Sequence, residues 1–310
     1  MPTQCTSIVL MVRPSQFGYD EETAEDNAFQ CNPGDESKTA IQQNALEEFD
    51  EMVRLLRDYA IEVVVMEDTP APAKPDAVFP NNWISFHENG SIITYAMRAK
   101  RRRAERREDI IEQMSQKFGF DRRYSLEHYE EKGQFLESTG SMVLDRVNRV
   151  VYACISERTN PLILDKFCAL TGYERIVFEA LDSQGQAIFH TNVMMCIGQS
   201  FAVICSSAIP QDHDRLEVTS RLESCGKAII DITFEQLQSF AGNMIHVMSK
   251  KGESLIILSE QAFRSLTPHQ VDVLKLHGNL LPVSIPTIER VGGGSVRCMM
   301  AEVFTPPIQL

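Results

Sequence analysis

No run of apolar residues among the 310 in this chain approaches the roughly 20 that a membrane-spanning helix needs, so no membrane partner is expected. The apolar run in MPTQCTSIVLMVRP has no positively charged segment ahead of it and reads as a first strand, not as a signal peptide. Positive charge is scarce: 30 Lys and Arg stand against 43 Asp and Glu, a net charge of −13. That balance disfavours non-specific binding to nucleic acid. The basic run RAKRRRAERRE (98–108) reads as a solvated helix face paired with Glu105 and Glu108. Low-complexity segments are missing. The eight cysteines contain no CxxC pair and no Cys/His pair at zinc spacing, so neither a metal nor a cofactor is expected. Most of them fall in apolar segments, the pattern of reduced core thiols in a cytoplasmic protein.

What the chain does have is a repeated order of elements. Strand-length apolar segments occur at 7–12, 61–66, 91–97, 149–155, 175–180, 191–197, 201–207, 228–234, 243–249 and 254–259. Helical patterns lie between them. The clearest runs from Gln42 to Tyr59, with Leu46, Phe49, Met52, Val53 and Leu56 on one face. Others fall near 102–118, 161–171, 211–225 and 260–277, the last interrupted by Pro268. From about residue 133 the order is strand, strand, helix, strand, three times over. The segments around 80–118 fit the same plan, and the strands near 7–12 and 296–304 complete a fifth unit. Each unit needs its neighbours to bury its apolar face, so the reading is one α/β domain over 1–310 with radial repetition. The acidic stretch 19–39 and TPAPAKP (69–75) read as surface loops, the second as a flap beside a site strand.

Asn82, Glu137, His190, Asn243 and Cys298 open successive units and are separated by 55, 53, 53 and 55 residues. In a closed ring of repeats, equivalent positions converge on the axis, so these five are expected to line one central pocket.

Five motifs carry candidate chemistry. GGGSVRCMM (292–300) sets three glycines before a cysteine; a glycine-rich turn into a core strand accounts for it equally well, and no Lys-Ser/Thr pair follows to make it a phosphate cradle. FHTN (189–192) holds a histidine that, alone, is an ordinary core histidine. FLESTGSMVL (135–144) places Glu137 among apolar residues, where a carboxylate is costly unless paired. PDAVFPNNWISF (75–86) gathers Asp76, Phe79, Asn81, Asn82 and the single Trp. SERTN (156–160) puts Arg158 after a buried strand, with Thr159 or Asn160 placed to cap a helix.

Taken together, in this order, the motifs resemble those of the guanidine-modifying enzymes, the pentein superfamily of arginine deiminases, dimethylarginine dimethylaminohydrolases, agmatine deiminases and amidinotransferases. GGGSVRCMM looks like their nucleophile strand, FHTN like their histidine strand, LESTG like their acidic turn, SERTN like their S-x-R-T-N stretch, and DAVFPNN like a D-x-V-F-x-E-D segment. The resemblance implies a five-bladed α/β propeller of ββαβ units with pseudo-fivefold symmetry. It implies that Cys298 attacks a guanidine or ureido carbon, that His190 serves as acid and base, and that Glu137 orients the imidazole. It places Arg158 as a clamp for a substrate carboxylate, with Arg98 and Arg13 as weaker candidates. The implied partner is a small amino acid with a ureido or guanidine group, and a homodimer is compatible with the pattern.

This sequence departs from the deiminases where they hold a cationic guanidinium with carboxylates: it has Asn81, Asn82 and Asn192 there, and Gly140 in place of a second acid. An amide offers both donors and an acceptor, which suits a neutral ureido group. Asp76 remains to hold an N–H. The expectation is a hydrolase converting citrulline to ornithine, carbon dioxide and ammonia, closest to the citrulline-utilisation hydrolases. The alternatives are arginine deiminase, dimethylarginine dimethylaminohydrolase or amidinotransferase chemistry on a guanidine, and a non-catalytic pentein that binds a partner.

Overall fold

The computed structural model describes residues 3–307. Its strands form five separate three-stranded sheets. In each, a short inner strand pairs antiparallel with a middle strand, and the middle strand pairs parallel with an outer one. The blades are Ile84–His87, Ser91–Thr94 and Arg122–Ser125; Val143–Asp145, Val150–Cys154 and Glu174–Phe178; Met195–Ile197, Phe201–Ile204 and Ala228–Asp231; and Ile245–Met248, Ser254–Ser259 and Asn279–Val283. The fifth joins the two ends of the chain: Ala301–Glu302 pairs antiparallel with Ile8–Arg13, which pairs parallel with Glu62–Glu67.

Parallel neighbours cannot be joined by a tight hairpin, so a helix crosses between middle and outer strands in every blade. The crossover of the fifth blade, Lys38–Asp58, buries Ile41, Ala45, Phe49, Met52, Val53 and Leu56 in one stripe. Each of the large side chains among these contributes roughly 1.5–3 kcal/mol by leaving water. Phe49→Ala would cost about 3–5 kcal/mol, since the ring is fully buried. Leu46 lies beside the stripe, half-buried. Pro161–Thr171 begins at its cap Asn160 with Pro161 in the first turn and ends on Gly172 at φ 75°.

Inner strands of neighbouring blades lie against one another, the first against the fifth and the second and fourth against the third. The core is accordingly divided into clusters wedged between blades. This is the five-bladed α/β propeller of ββαβ units.

Local details differ from the sequence reading. The helix expected near 102–118 is a 3-10 segment, Arg101–Glu105, followed by Glu108–Phe118. Pro268 splits the last helical region into Glu260–Ser265 and Pro268–Lys275, the second starting with a capping box between Thr267 and Gln270. Residues expected to begin the inner strands form single helical turns instead: Pro80–Asn82, Ser138–Ser141 and Thr191–Met194. No helix among the described residues is long and apolar enough to cross a membrane.

Candidate active site

Asn82, Glu137, His190, Asn243 and Cys298 all stand on a tight turn just before an inner strand. The turns share one hydrogen-bond plan: Gly140 N donates to Glu137 O at 3.0 Å, Val193 N to His190 O at 3.3 Å, Asn82 N to Phe79 O at 3.4 Å, Asn243 N to Phe240 O at 2.8 Å, and Cys298 N to Ser295 O at 2.9 Å. Glu137 and His190 open their turns, whereas Asn82, Asn243 and Cys298 close theirs; the turns of Asn82 and His190 both lie against that of Glu137. Beside them lies a cleft with free space of about 20 Å³, room for a water molecule, lined by Thr23, Asn27, Asp76, Phe79, Asn82, Arg102, Arg158, Phe189, His190, Gly292, Gly293, Gly294 and Cys298.

His190 Nε2 and Glu137 Oε2 are 2.8 Å apart, and both side chains are fully buried. Glu137 Oε1 accepts the Arg98 backbone N–H at 3.0 Å, and Arg158 Nη1 lies 3.5 Å from Oε2. Burial alone would push the Glu137 carboxyl up; Arg158, His190 and Arg102 outweigh it and hold the group below its usual range. Burial lowers the His190 pKa, and Glu137 only partly restores it. Gly140, expected from the resemblance to be an acid, has no room for a side chain. A Cβ there would lie 2.9 Å from the His190 ring and closer still to Asn82 Nδ2.

Cys298 is 5% exposed. Its Sγ receives Asn243 Nδ2 at 3.3 Å and Asn192 Nδ2 at 3.5 Å. The glycine run makes room for the cavity wall: side chains on Gly292 or Gly294 would strike the Phe79 ring, and Gly293, at φ 65°, lies against Asn27 and Gln30. All eight cysteines are free. Burial pushes Cys5 and Cys196 up to about 12 and Cys154, Cys168 and Cys205 to about 11, which makes these five poor nucleophiles.

Arg102, assigned from the sequence to a solvated face, is 3% exposed and stands in the cavity wall. It makes a two-pronged pair with Glu105, both contacts 2.8 Å. Its Nη1 donates to Asn82 Oδ1 at 2.9 Å, its Nη2 to Phe79 O at 3.3 Å, and its Nε is 3.9 Å from Asp76. An arginine can only donate, so the Asn82 amide is turned with its oxygen toward Arg102. Asn82 Nδ2 is left buried without a partner in the protein, as is Asp76 Oδ1. Burial, with Asp20 nearby, pushes the Asp76 carboxyl up to about 6 despite Arg102.

The stretch read as a surface loop, 19–39, instead contributes a cover at its N-terminal end. Asp20, Thr23 and Asn27 are buried. Thr23 Oγ1 donates to Asp76 at 3.0 Å, and Asn27 Nδ2 to Gly293 O at 3.2 Å. Phe29 packs on Phe240 and Phe189. Asp26 binds Arg158 through both carboxylate oxygens, one contact being 2.9 Å from Nε, while Arg158 Nη2 also reaches Thr23 O at 3.1 Å. The expected carboxylate clamp is thus filled by a carboxylate of the protein's own cover. In the segment expected to be a flap, Lys74 is buried and paired with Asp68 at 3.1 Å, which anchors 69–75 to the body of the protein.

Of the residues singled out from the sequence, Cys298, His190, Asp76, Phe79, Asn82 and Arg158 line the cavity, and Glu137 touches His190. Five are placed differently. Arg13 is on the rim of the fold, paired with Asp50 and Glu67. Arg98 contributes its backbone N–H to Glu137, and its side chain pairs with Glu157, Glu25 and Asp26. Asn81 is buried with an unpartnered amide and does not line the cavity. Asn192 and Asn243 contact the sulfur and do not line it either. Among the described residues, no group of three or more His, Cys, Asp or Glu side chains is arranged to hold a metal ion.

Residues 13–305 match the family model of the eukaryotic N,N-dimethylarginine dimethylhydrolases. No curated protein sequence gives a significant match. Among solved structures, the substrate-bound N-terminal domain of ArgZ, an arginine dihydrolase from the ornithine–ammonia cycle in cyanobacteria, superposes with TM-score 0.73 at 16% identity, covering 97% of this chain and 99% of that one. Unliganded AgrE gives 0.73 at 17% identity, covering 98% of this chain and 40% of its own. A dimethylarginine dimethylaminohydrolase variant, solved as an adduct with S-methyl-L-thiocitrulline, gives 0.63 at 16% identity, covering 97% of this chain and all of its own. At these identities the likeness is one of fold.

Proposed function

The chain belongs to the N,N-dimethylarginine dimethylhydrolase family, within the guanidine-modifying (pentein) superfamily of hydrolytic enzymes, and from that premise we propose that it hydrolyses the ureido group of citrulline to ornithine, carbon dioxide and ammonia. The observation that carries this reading is the orientation of Asn82. With its oxygen committed to Arg102, the group that Asn82 has left without a partner is an N–H, buried beside Gly140 in the cavity wall. A ureido carbonyl accepts that bond, whereas a guanidinium has only N–H groups to offer against it. Asp76 Oδ1 supplies the complementary acceptor for a ureido N–H.

In the proposed reaction, His190 takes the Cys298 thiol proton as sulfur attacks the ureido carbon. An S–C bond forms, a C–N bond breaks, and His190 returns the proton to the departing nitrogen. His190 then removes a proton from water, whose oxygen displaces the thiolate and releases a carbamate; the carbamate's remaining C–N bond breaks in solution, giving carbon dioxide and the second amine. The overall balance is citrulline plus water giving ornithine, carbon dioxide and ammonia. Glu137, ionised between His190 and Arg158, fixes the ring and stabilises its charged form. The substrate carboxylate takes the Arg158 fork in place of Asp26.

A second reading, hydrolysis of arginine-like guanidines, is favoured by the buried carboxylate of Asp76, an anion available to a cation. Incubation with citrulline, arginine, methylarginines, agmatine and N-acylated arginines, read by mass spectrometry, separates the two. Ornithine from citrulline is the expected product; turnover of guanidines alone would displace the proposal.

A further inference from the structure

With Cys298 read as the nucleophile, we infer that Glu289 is its positioning residue: the Glu289 carboxyl ties together the two ends of the glycine loop that walls the cavity, and so fixes the turn that carries the sulfur. Gly292, Gly293 and Gly294 line the cavity together with Cys298. A Cβ on Gly294 would lie 2.8 Å from the Phe79 ring and 3.3 Å from Cys298 Cβ, so this wall has to be bare backbone. Three glycines in a row are the most freely rotating stretch a chain can have, and they bring no side chains to anchor themselves. The shape of the loop has to be imposed from its ends.

Glu289 spans those ends. It belongs to the wide helical turn Ile288–Gly292, and its carbonyl accepts Gly293 N at 2.9 Å. Its side chain reaches past the glycines to Ser295, whose Oγ donates to Oε1 at 2.6 Å. Ser295 O in turn accepts Cys298 N at 2.9 Å, the bond that closes the nucleophile's turn. Carboxyl and nucleophile are thus linked by two hydrogen bonds through one fully buried serine.

A carboxyl 3% exposed would ordinarily sit against a cation. Among the described residues Glu289 makes no ion pair; its neighbour Arg290 pairs with Glu36 instead. The charged group that faces it is another acid, Glu48 of the helix Lys38–Asp58, which accepts the N–H groups of Thr287 and Ile288 at 2.8 and 3.0 Å. Burial pushes the Glu289 pKa up to about 7, Glu48 adds to the effect, and the hydroxyls of Ser259 and Ser295 offset only part of it. Near neutral pH the site therefore holds a neutral side chain about as readily as a charged one. What it uses is the hydrogen bond to Ser295, not the charge.

The test is steady-state kinetics, each with a thermal melt, on Glu289→Ala, Ser295→Ala, the double variant and Glu289→Gln. The substrate is citrulline or, should the wild type turn over only arginine, arginine. Without the tie the sulfur drifts, which slows attack and leaves substrate binding alone. Both alanine variants should lose about tenfold or more in kcat with KM within about twofold of wild type. The double variant should be no slower than the slower single one, because each change removes the same bond. Glu289→Gln keeps an acceptor for Ser295 and should recover most of kcat. A near-wild-type kcat in the alanine variants overturns the inference, whatever their melting temperatures. So does a raised KM at unchanged kcat, an additive loss in the double variant, or a Glu289→Gln as slow as Glu289→Ala. Should Glu289→Ala fail to fold, Ser295→Ala, which removes one hydroxyl, decides together with Glu289→Gln. Turnover of arginine and not citrulline ends the citrulline reading alone, since the same comparison is then made with arginine; a wild type inert toward both overturns both.

Discussion

Replacing Gly140 by alanine puts a methyl group where the His190 ring and the Asn82 amide now sit. The added carbon would lie 2.9 Å from His190 Nδ1 and Cε1 and nearer to Asn82 Nδ2. Neither neighbour is free to yield. His190 is tied to Glu137 at 2.8 Å, and Asn82 to the buried guanidinium of Arg102 at 2.9 Å. Backbone retreat is opposed by the Gly140 N to Glu137 O bond that closes the turn. Overpacking of this kind costs about 1–3 kcal/mol of stability. The catalytic cost should be larger, because displacing a reacting group by about 1 Å can lower turnover 100-fold. Gly140→Ala should therefore remain folded, melt a few degrees lower, and lose about two orders of magnitude in kcat/KM for citrulline. The assay is steady-state ornithine release alongside a thermal melt. Near-wild-type kcat/KM in a protein whose melting temperature has fallen would refute the reasoning, since it would mean that His190 and Asn82 do not have to hold these positions for the reaction.

Glu137→Gln removes the anion that favours a protonated His190; kcat/KM should fall about 100-fold or more, and the acid limb of its pH profile, already below the ordinary histidine value because of burial, should move lower still, which a pH–rate series would show. Asp76 carries a stability effect of the opposite sense to a salt-bridged acid. Burial raises its pKa from 3.8 to about 6, so folding takes up a proton between those values, and stability falls as pH rises through that window. Asp76→Asn should thus gain in melting temperature relative to wild type from pH ~4 to pH ~7 while losing citrulline turnover, measurable by melts at both ends of the range. Asp26→Asn vacates the Arg158 fork, so KM for citrulline should fall several-fold with kcat unchanged; a raised KM would show that Asp26 binds the substrate's ammonium group.

The repeat order was readable from the sequence because each blade buries both faces of short strands, which leaves apolar runs of constant spacing. The near-equal intervals between Asn82, Glu137, His190, Asn243 and Cys298 were readable for the same reason, since each opens a unit. What the sequence hid was direction and depth. The fragment RRRAE (101–105) has the same pattern whether it faces water or not. Arg102 is buried because Asn82 and Phe79, 20 and 23 residues away, meet it in the fold. Asp20, Thr23 and Asn27 sit in an acidic, turn-rich stretch typical of a surface loop, and only Asp76, Arg158 and Gly293 draw them inward. The amides followed the same logic. Spacing brought Asn243 to the axis and the resemblance singled out Asn192, but whether such a side chain faces the cavity or the sulfur depends on the turn that carries it. Of these asparagines only Asn82 lines the cavity, with its orientation set by Arg102, a residue that sequence pattern had assigned elsewhere.

The central claim is selectivity for a neutral ureido group over a guanidinium, and kcat/KM for citrulline and for arginine, measured side by side on the wild type and on Asn82→Asp, tests it most directly. The wild type should favour citrulline, because a guanidinium has no acceptor to offer the buried Asn82 N–H, a mismatch of about 1–3 kcal/mol, roughly 5- to 150-fold in binding. Asn82→Asp should lose citrulline turnover, as its N–H donor becomes a second acceptor. Efficient turnover of arginine by a wild type that ignores citrulline would contradict the account and assign the site to guanidine hydrolysis.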